Sequence, residues 1–456
     1  MWKKYFGNTK FYKEVLFIAI PVMGHMFVTT LVALIDNFMV AQLGDIKMSG
    51  VNISNQIFFI VQVATSSLAT AGGIFLAQYT GAREKKGMQQ AFRFKVLMLL
   101  LVAIISIIVV VLFCEPLLYA MAGKNTNAQD IIPYGKQYML IIVFTFIPFA
   151  LSTALGTSLR ETGSPRAPFV IALIAALTNV IGNYIFIYGN FGAPKLEVAG
   201  AAYSTVFAKI LEFILLILFS YKKDFFVSLF RIFKVELKVV KEIFKRSGWL
   251  LLADLTWAFS ETIINAVYNG MGGSEVVSGM SAGWTICDLF FLTHIGLGTA
   301  ITVVIGGLLG QNKLDEAREK SRWFIGLSLI VGIVVGGIEA LSSLILVPSI
   351  FGQLSVAAQT VAMRLLLVVA AYLPIWSLTN AQYYVLLAGG DSFSMSMIDS
   401  SINAFISVPL AFLLARYTGV GPVLLYAIIK IASIIKPILT YFPLKKETWV
   451  KNLTVQ

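Results

Sequence analysis

Apolar residues in this chain come in long unbroken runs, not in the spaced stripes of a water-soluble helix. Val96–Phe113 and Phe324–Leu346 are two such runs. Each is close to the roughly 20 residues that a helix needs to cross a bilayer. A first run, from about Val15 to Val40, is too long for the core of a cleaved signal peptide. No small-residue cleavage site follows it, so it reads as the first helix of the mature protein. Runs of this kind, taken together, use up the chain as about twelve spanning helices and leave no sizeable soluble domain.

Composition agrees with the pattern. Of 456 residues, 58% are hydrophobic and only 13% are charged, against about a quarter charged in soluble domains. Glycine recurs inside the runs, as expected where helices pack backbone to backbone in lipid. Two cysteines, Cys114 and Cys287, make neither a disulfide framework nor a metal site. The net charge of +12 suggests nucleic acid until its distribution is read. When Lys and Arg are sorted into alternate loops, 26 of 35 fall on one side, Lys95 and Arg160 counted among them. Positive residues stay on the cytoplasmic side. The bias therefore predicts an even number of spans with both termini cytoplasmic, in the cell (inner) membrane, and no nucleic-acid partner.

The chain is also written twice. A shift of 229 residues puts Gly44 on Gly273, Ser49-Gly50 on Ser278-Gly279, Thr70-Ala71 on Thr299-Ala300, and Gly81 on Gly310. With small slips Gly163 meets Gly390, Gly200 meets Gly421, and Lys209 meets Lys430. Each half holds an even number of spans, so equivalent helices run the same way. The expected fold is all-α integral membrane: twelve transmembrane helices as two parallel six-helix repeats around a central cavity, suited to alternating access. Residues 1–221 and 247–456 would form the two bundles, joined by a basic cytoplasmic linker over 222–246. Phe225, Phe226, Leu229, Phe230 and Phe233 recur near helical spacing there, which predicts either an amphipathic surface helix or a solvated linker.

Several segments carry a family resemblance. They are Ile20–Gly44 (IPVMGHMFVTTLVALIDNFMVAQLG), Leu76–Gly87 (LAQYTGAREKKG), Leu159–Phe169 (LRETGSPRAPF), Thr178–Gly189 (TNVIGNYIFIYG), Val198–Lys209 (VAGAAYSTVFAK) and Leu386–Phe393 (LLAGGDSF). In this order and spacing the chain resembles the multidrug and toxic compound extrusion family. The resemblance implies export of small amphipathic, often cationic organic compounds in exchange for protons or sodium ions. It implies no cofactor beyond that coupling ion.

Charge inside the bilayer is costly, at least about 2.5–3.5 kcal/mol at its centre, so ionisable residues there are functional candidates. At about 100° per residue, Thr29 and His25 return to within roughly 20° of Asp36, a polar stripe through an apolar run. Pro21 lies fifteen residues before Asp36 and can bend the helix. The resemblance implies that an acid here works with polar groups of the fifth and sixth helices, which become Asn179, Asn183 and Thr205. Relatives carry aspartate where this chain has Asn183, which weakens a two-acid cation site and leaves Asp36 as the main titrating group. Burial favours a neutral acid, and a nearby cation or donor favours the carboxylate. Such a group can therefore gain and lose a proton as its surroundings change.

The second half has its own stripe, Asp254, Glu261, Asn265 and Tyr268, in which Asn265 is the repeat partner of Asp36. Asp288 and Asp399 are further substrate-cavity candidates, with Lys209 and Lys430 as repeat-related bases. Lys209 is expected to pair with Glu212 one turn on. If both lysines faced the cavity instead, an anionic or zwitterionic substrate would follow. The main alternative to a monomeric antiporter is a flippase for a lipid-linked saccharide or other polar lipid. An enzyme is disfavoured, since His25 and His294 are the only histidines and no paired-His metal motif, Ser-His-Asp arrangement or phosphate loop occurs.

Overall fold

The computed structural model describes residues 2–122, 128–221, 223, 233–272 and 274–454. Twelve of its helices are long and apolar enough to cross a membrane. We number them α1 (Thr9–Ala41), α2 (Ile46–Gly81), α3 (Lys85–Met121), α4 (Ala128–Glu161), α5 (Arg166–Phe186) and α6 (Val198–Ser220). The second six are α7 (Trp249–Tyr268), α8 (Glu275–Gly310), α9 (Leu314–Phe351), α10 (Val356–Ala388), α11 (Ser392–Tyr417) and α12 (Pro422–Lys445). No strand occurs among the described residues. The protein is an all-α, multi-pass membrane protein.

Helices are the only open-ended solution in lipid, because each satisfies its own backbone groups. Prolines mark where these depart from regularity. Pro116 leaves Phe113 at φ −122°, ψ 26°, a kink in α3. Pro148 removes the donor that would bond the Phe144 carbonyl, and α4 tightens to a 3₁₀ turn over Val143–Thr145. Pro409 does the same to Phe405, and α11 widens to a π turn over Asn403–Ser407. Large apolar side chains such as Ile104, Ile105, Ile108 and Leu112 of α3 stay exposed, as a lipid-facing surface requires.

The chain forms two compact units. One comprises Gly24–Leu76 and Glu84–Glu242. Phe92, Leu99, Leu118, Met139, Phe146, Leu155 and Leu159 lie at its centre. The other comprises Met1–Met23, Ala77–Arg83 and Ile243–Gln456, with Met280, Ile286, Leu365, Leu366, Leu373 and Leu425 inside. We call them the amino-side and carboxy-side units. The start of α1 and the end of α2 thus pack with the helices of the second repeat. The physical reason for the latter is a close crossing at repeat-related glycines. A Cβ on Gly81 would meet the Gly307 carbonyl at 2.0 Å, and one on Gly310 would meet the Gln78 carbonyl at 1.8 Å. Gln78 is itself the repeat partner of Gly307. The Gln78 side chain then holds the chain terminus, donating to Ala388 and Lys451 carbonyls and accepting from the Leu453 amide.

Two local expectations need amendment. Phe225, Phe226, Leu229 and Phe230 of the linker lie outside the described residues, and Phe233 is exposed. An amphipathic helix is present further on, over Leu237–Ser247, with Ile243 buried and Lys238, Lys241 and Lys245 exposed. Lys95 and Arg160, counted above as loop charges, lie inside helices α3 and α4. Lys95 is wholly buried, its Nζ 2.7 Å from Glu161 Oε2 and 3.0 Å from Ser158 Oγ. Hydropathy places Lys95 at the edge of a run. Helix α3, however, begins ten residues earlier, and tertiary packing covers that first stretch.

Candidate functional site

Helix α5 carries Asn179 and Asn183 one turn apart on one face, both buried. Gly182 between them lets α6 approach, since a Cβ there would sit 3.0 Å from Ser204 Oγ. That approach brings Thr205 of α6 to Asn179, whose Nδ2 donates to Thr205 Oγ1 at 3.2 Å. Asn183 Nδ2 donates to Oδ1 of the half-buried Asp36. Tyr138 of α4, also buried, hydrogen-bonds Thr205 and lies within electrostatic range of Asp36. Four helices thus supply polar groups to one region inside the amino-side unit, in which Asn183 bonds the Asp36 carboxyl. Asn183 Oδ1 is buried there without a partner among the described residues. Tyr138 was not anticipated, since its sequence neighbours (Lys136, Gln137, Met139, Leu140) give no periodic polar stripe that points to Asp36.

The rest of the α1 stripe does not join this cluster. Thr29 is exposed and its hydroxyl returns to the Met26 carbonyl at 2.8 Å. His25 Nδ1 is buried with no hydrogen-bond partner among the described residues. Pro21 is buried within α1. Lys209 pairs with Glu212 at 2.8 Å, as its i, i+3 spacing predicts, and lies over the Phe149 ring. At another edge of the unit, Lys47 bonds Glu197 and holds that carboxyl below the usual carboxylate range.

The carboxy-side unit is arranged differently. Asn265 accepts from the Tyr268 hydroxyl, which in turn accepts from Trp284 Nε1 at 3.0 Å. Glu261 meets Lys430 at 3.2 Å, and Asp399 meets Lys436 at 2.8 Å. Asp254 is half-buried on α7 and acts electrostatically on Tyr384. Asp288 is exposed on α8 and joins neither ion pair. His294 bonds Ser377 and lies against the Trp376 ring, lining a small pocket with Ser328, Asn380 and Tyr384. Glu339 is fully buried in α9 with no nitrogen or oxygen partner among the described residues and the Cys287 thiol beside it. Lys436 and Glu339 fall within the apolar runs of the sequence, but nothing in their spacing assigns them partners.

Known proteins fit this architecture. A curated relative, the probable multidrug resistance protein NorM of Thermotoga maritima, is 24% identical over 326 residues, 71% of this chain and 69% of that protein. A MATE crystal structure in the straight conformation superposes with a TM-score of 0.85 at 17% identity, covering 98% of both chains. A MOP superfamily transporter from Pyrococcus furiosus, described as having a binding pocket of reverse polarity, gives 0.84 at 18% identity, again covering 98% of both. The likeness to these two structures is one of fold. The MatE family model matches residues 21–185 and 250–413, most of both repeats, and the chain belongs to that family.

Proposed function

We propose that this protein is a multidrug-type exporter, an antiporter that moves amphipathic organic compounds out of the cell in exchange for protons. Asp36 is the group that takes up and releases the coupling ion. The observation that carries this reading is the Asp36 cluster: a half-buried carboxyl bonded by Asn183 of α5, beside the Asn179–Thr205 bond that joins α5 to α6 and within electrostatic range of Tyr138 of α4. Asn183 favours a proton over sodium. A carboxylate at that position would add a second anionic ligand, whereas the amide turns an N–H toward Asp36 and leaves its own carbonyl oxygen unused. That oxygen can accept from a protonated Asp36 if the amide rotates, so one side chain serves both charge states. Each charge crossing a 100 mV potential carries about 2.3 kcal/mol, enough to bias such a cycle.

The names of curated relatives, multidrug resistance proteins among them, support the export reading. We propose a monomer in the cell membrane; the loop-charge bias supports cytoplasmic termini. The experiment is uptake of a fluorescent organic cation into everted vesicles, the direction that corresponds to export, with wild type or Asp36→Asn under an imposed proton or sodium gradient. Wild type should respond to the proton gradient alone, and the variant should fall to the background of empty vesicles. Export by Asp36→Asn at the wild-type rate would sink the assignment.

A further inference from the structure

Lys95, Arg160 and Lys209 share the interior of the amino-side unit with three acids, Glu161, Glu212 and Asp36. Lys95 of α3 is fixed: it is wholly buried and bonded to both Glu161 and Ser158 of α4, and Gly72 and Gly73 of α2 leave room for this pair. Arg160 of α4 lies within electrostatic reach of both Glu161 and Glu212. Lys209 of α6 is held less tightly. It has one carboxylate contact, Glu212 at 2.8 Å on its own helix, and lies over the Phe149 ring of α4, 5.8 Å from its centroid. Its side chain keeps 28% exposure.

Lys209 also stands one turn beyond Thr205, on the same face of α6. Thr205 accepts from Asn179, and Asn179 is one turn from the Asn183 that bonds Asp36. The ammonium is accordingly within electrostatic reach of Asp36 itself. Two other titratable groups face the region. His25 of α1 is within reach of Lys209 and Arg160, and Tyr138 of α4 is within reach of Asp36.

We propose that Lys209 is a tethered counter-cation that moves between Glu212 and Asp36 as Asp36 gains and loses its proton. When Asp36 releases its proton to water, the new carboxylate attracts Lys209, and Glu212 is left beside Arg160. When Asp36 takes a proton its charge is cancelled, and Lys209 returns to Glu212, the arrangement seen in this structure. No proton leaves the ammonium, so Lys209 is a positioning residue. A lysine suits the task because its charge sits on a flexible four-carbon stem with three rotatable donors. The movement needs side-chain torsions of one helix and no change of fold. The interior is matched in charge only when Asp36 is ionised, so Lys209 helps Asp36 to empty. This rests on the reading of Asp36 as the coupling group and names the residue that tunes it.

The test is the initial rate of fluorescent-cation uptake into everted vesicles as luminal pH is varied. A nearby cation favours the carboxylate. Lys209→Gln should therefore move the pH midpoint upward by about one unit or more, and Lys209→Arg should leave it near wild type. Glu212→Gln should move it downward, since Lys209 then has no competing partner. The double variant Lys209→Gln with Glu212→Gln should behave as Lys209→Gln alone. An unmoved midpoint in Lys209→Gln, or shifts of the same sign in both single variants, overturns the proposal. If Lys209→Gln abolishes uptake, Glu212→Gln decides: a downward shift supports the exchange, and an unchanged or raised midpoint overturns it. Uptake by Asp36→Asn at the wild-type rate would instead remove the coupling reading on which the exchange rests.

Discussion

Positions 36 and 265 are equivalent in the two repeats, and they have become chemically opposite. In the amino-side unit the position is an acid facing an amide, Asp36 against Asn183. In the carboxy-side unit it is an amide facing a phenol, Asn265 against Tyr268. The repeat-related lysines diverge as well. Lys209 is occupied by Glu212 on its own helix, whereas Lys430 reaches across to Glu261 of α7. A duplicated helical scaffold has therefore kept its packing glycines while equivalent positions changed their polar partners: acid–base pairs occur in both units, but the acid at position 36 meets an amide and its equivalent is itself an amide.

The strongest way to break this comparison is to move the acid. Asp36→Asn combined with Asn265→Asp keeps the composition but transfers the carboxyl into the Tyr268–Trp284 surroundings. Gradient-driven export should remain at vesicle background; recovery to the wild-type rate would mean that the two positions are interchangeable. Next in size is the buried pair of the amino-side unit. Lys95→Met or Glu161→Gln alone strands a buried partner, which should cost about 3–5 kcal/mol. A lowered thermal midpoint in detergent should report it, with the double variant closer to wild type than either single one.

A smaller effect is expected at the terminus. Gln78→Ala removes three hydrogen bonds, two to carbonyls and one from the Leu453 amide. It should cost about 1–3 kcal/mol and expose the last residues to carboxypeptidase; an unchanged digestion rate would count against the clasp. The smallest concerns Glu197. Its carboxyl is held low by Lys47, so the contribution of this pair is present above the ordinary carboxylate range and is lost as pH falls through the depressed value. Removing it with Glu197→Gln should flatten the acid end of the stability profile slightly, because the pair is partly exposed. A variant as acid-sensitive as wild type would show that the link contributes nothing.

Much of this molecule was legible in one dimension. The length and greasiness of the runs dictate twelve helices, because lipid tolerates no unpaired backbone. The 229-residue repeat dictates that equivalent helices run alike, and helical spacing puts Asn179 and Asn183 on one face. Partnership was not legible. Lys95 read as a loop charge, Thr29 as a member of the Asp36 stripe, and Tyr138 as nothing at all. Whether a charge in a membrane protein meets a counter-charge, an amide or lipid depends on which helices cross and where a glycine lets them touch. Those contacts join residues far apart in the chain, such as Lys430 and Glu261 or Gln78 and Leu453. The pattern along the chain therefore decided the helices and their direction, and tertiary packing alone decided which polar groups are neutralised and which are left to bind.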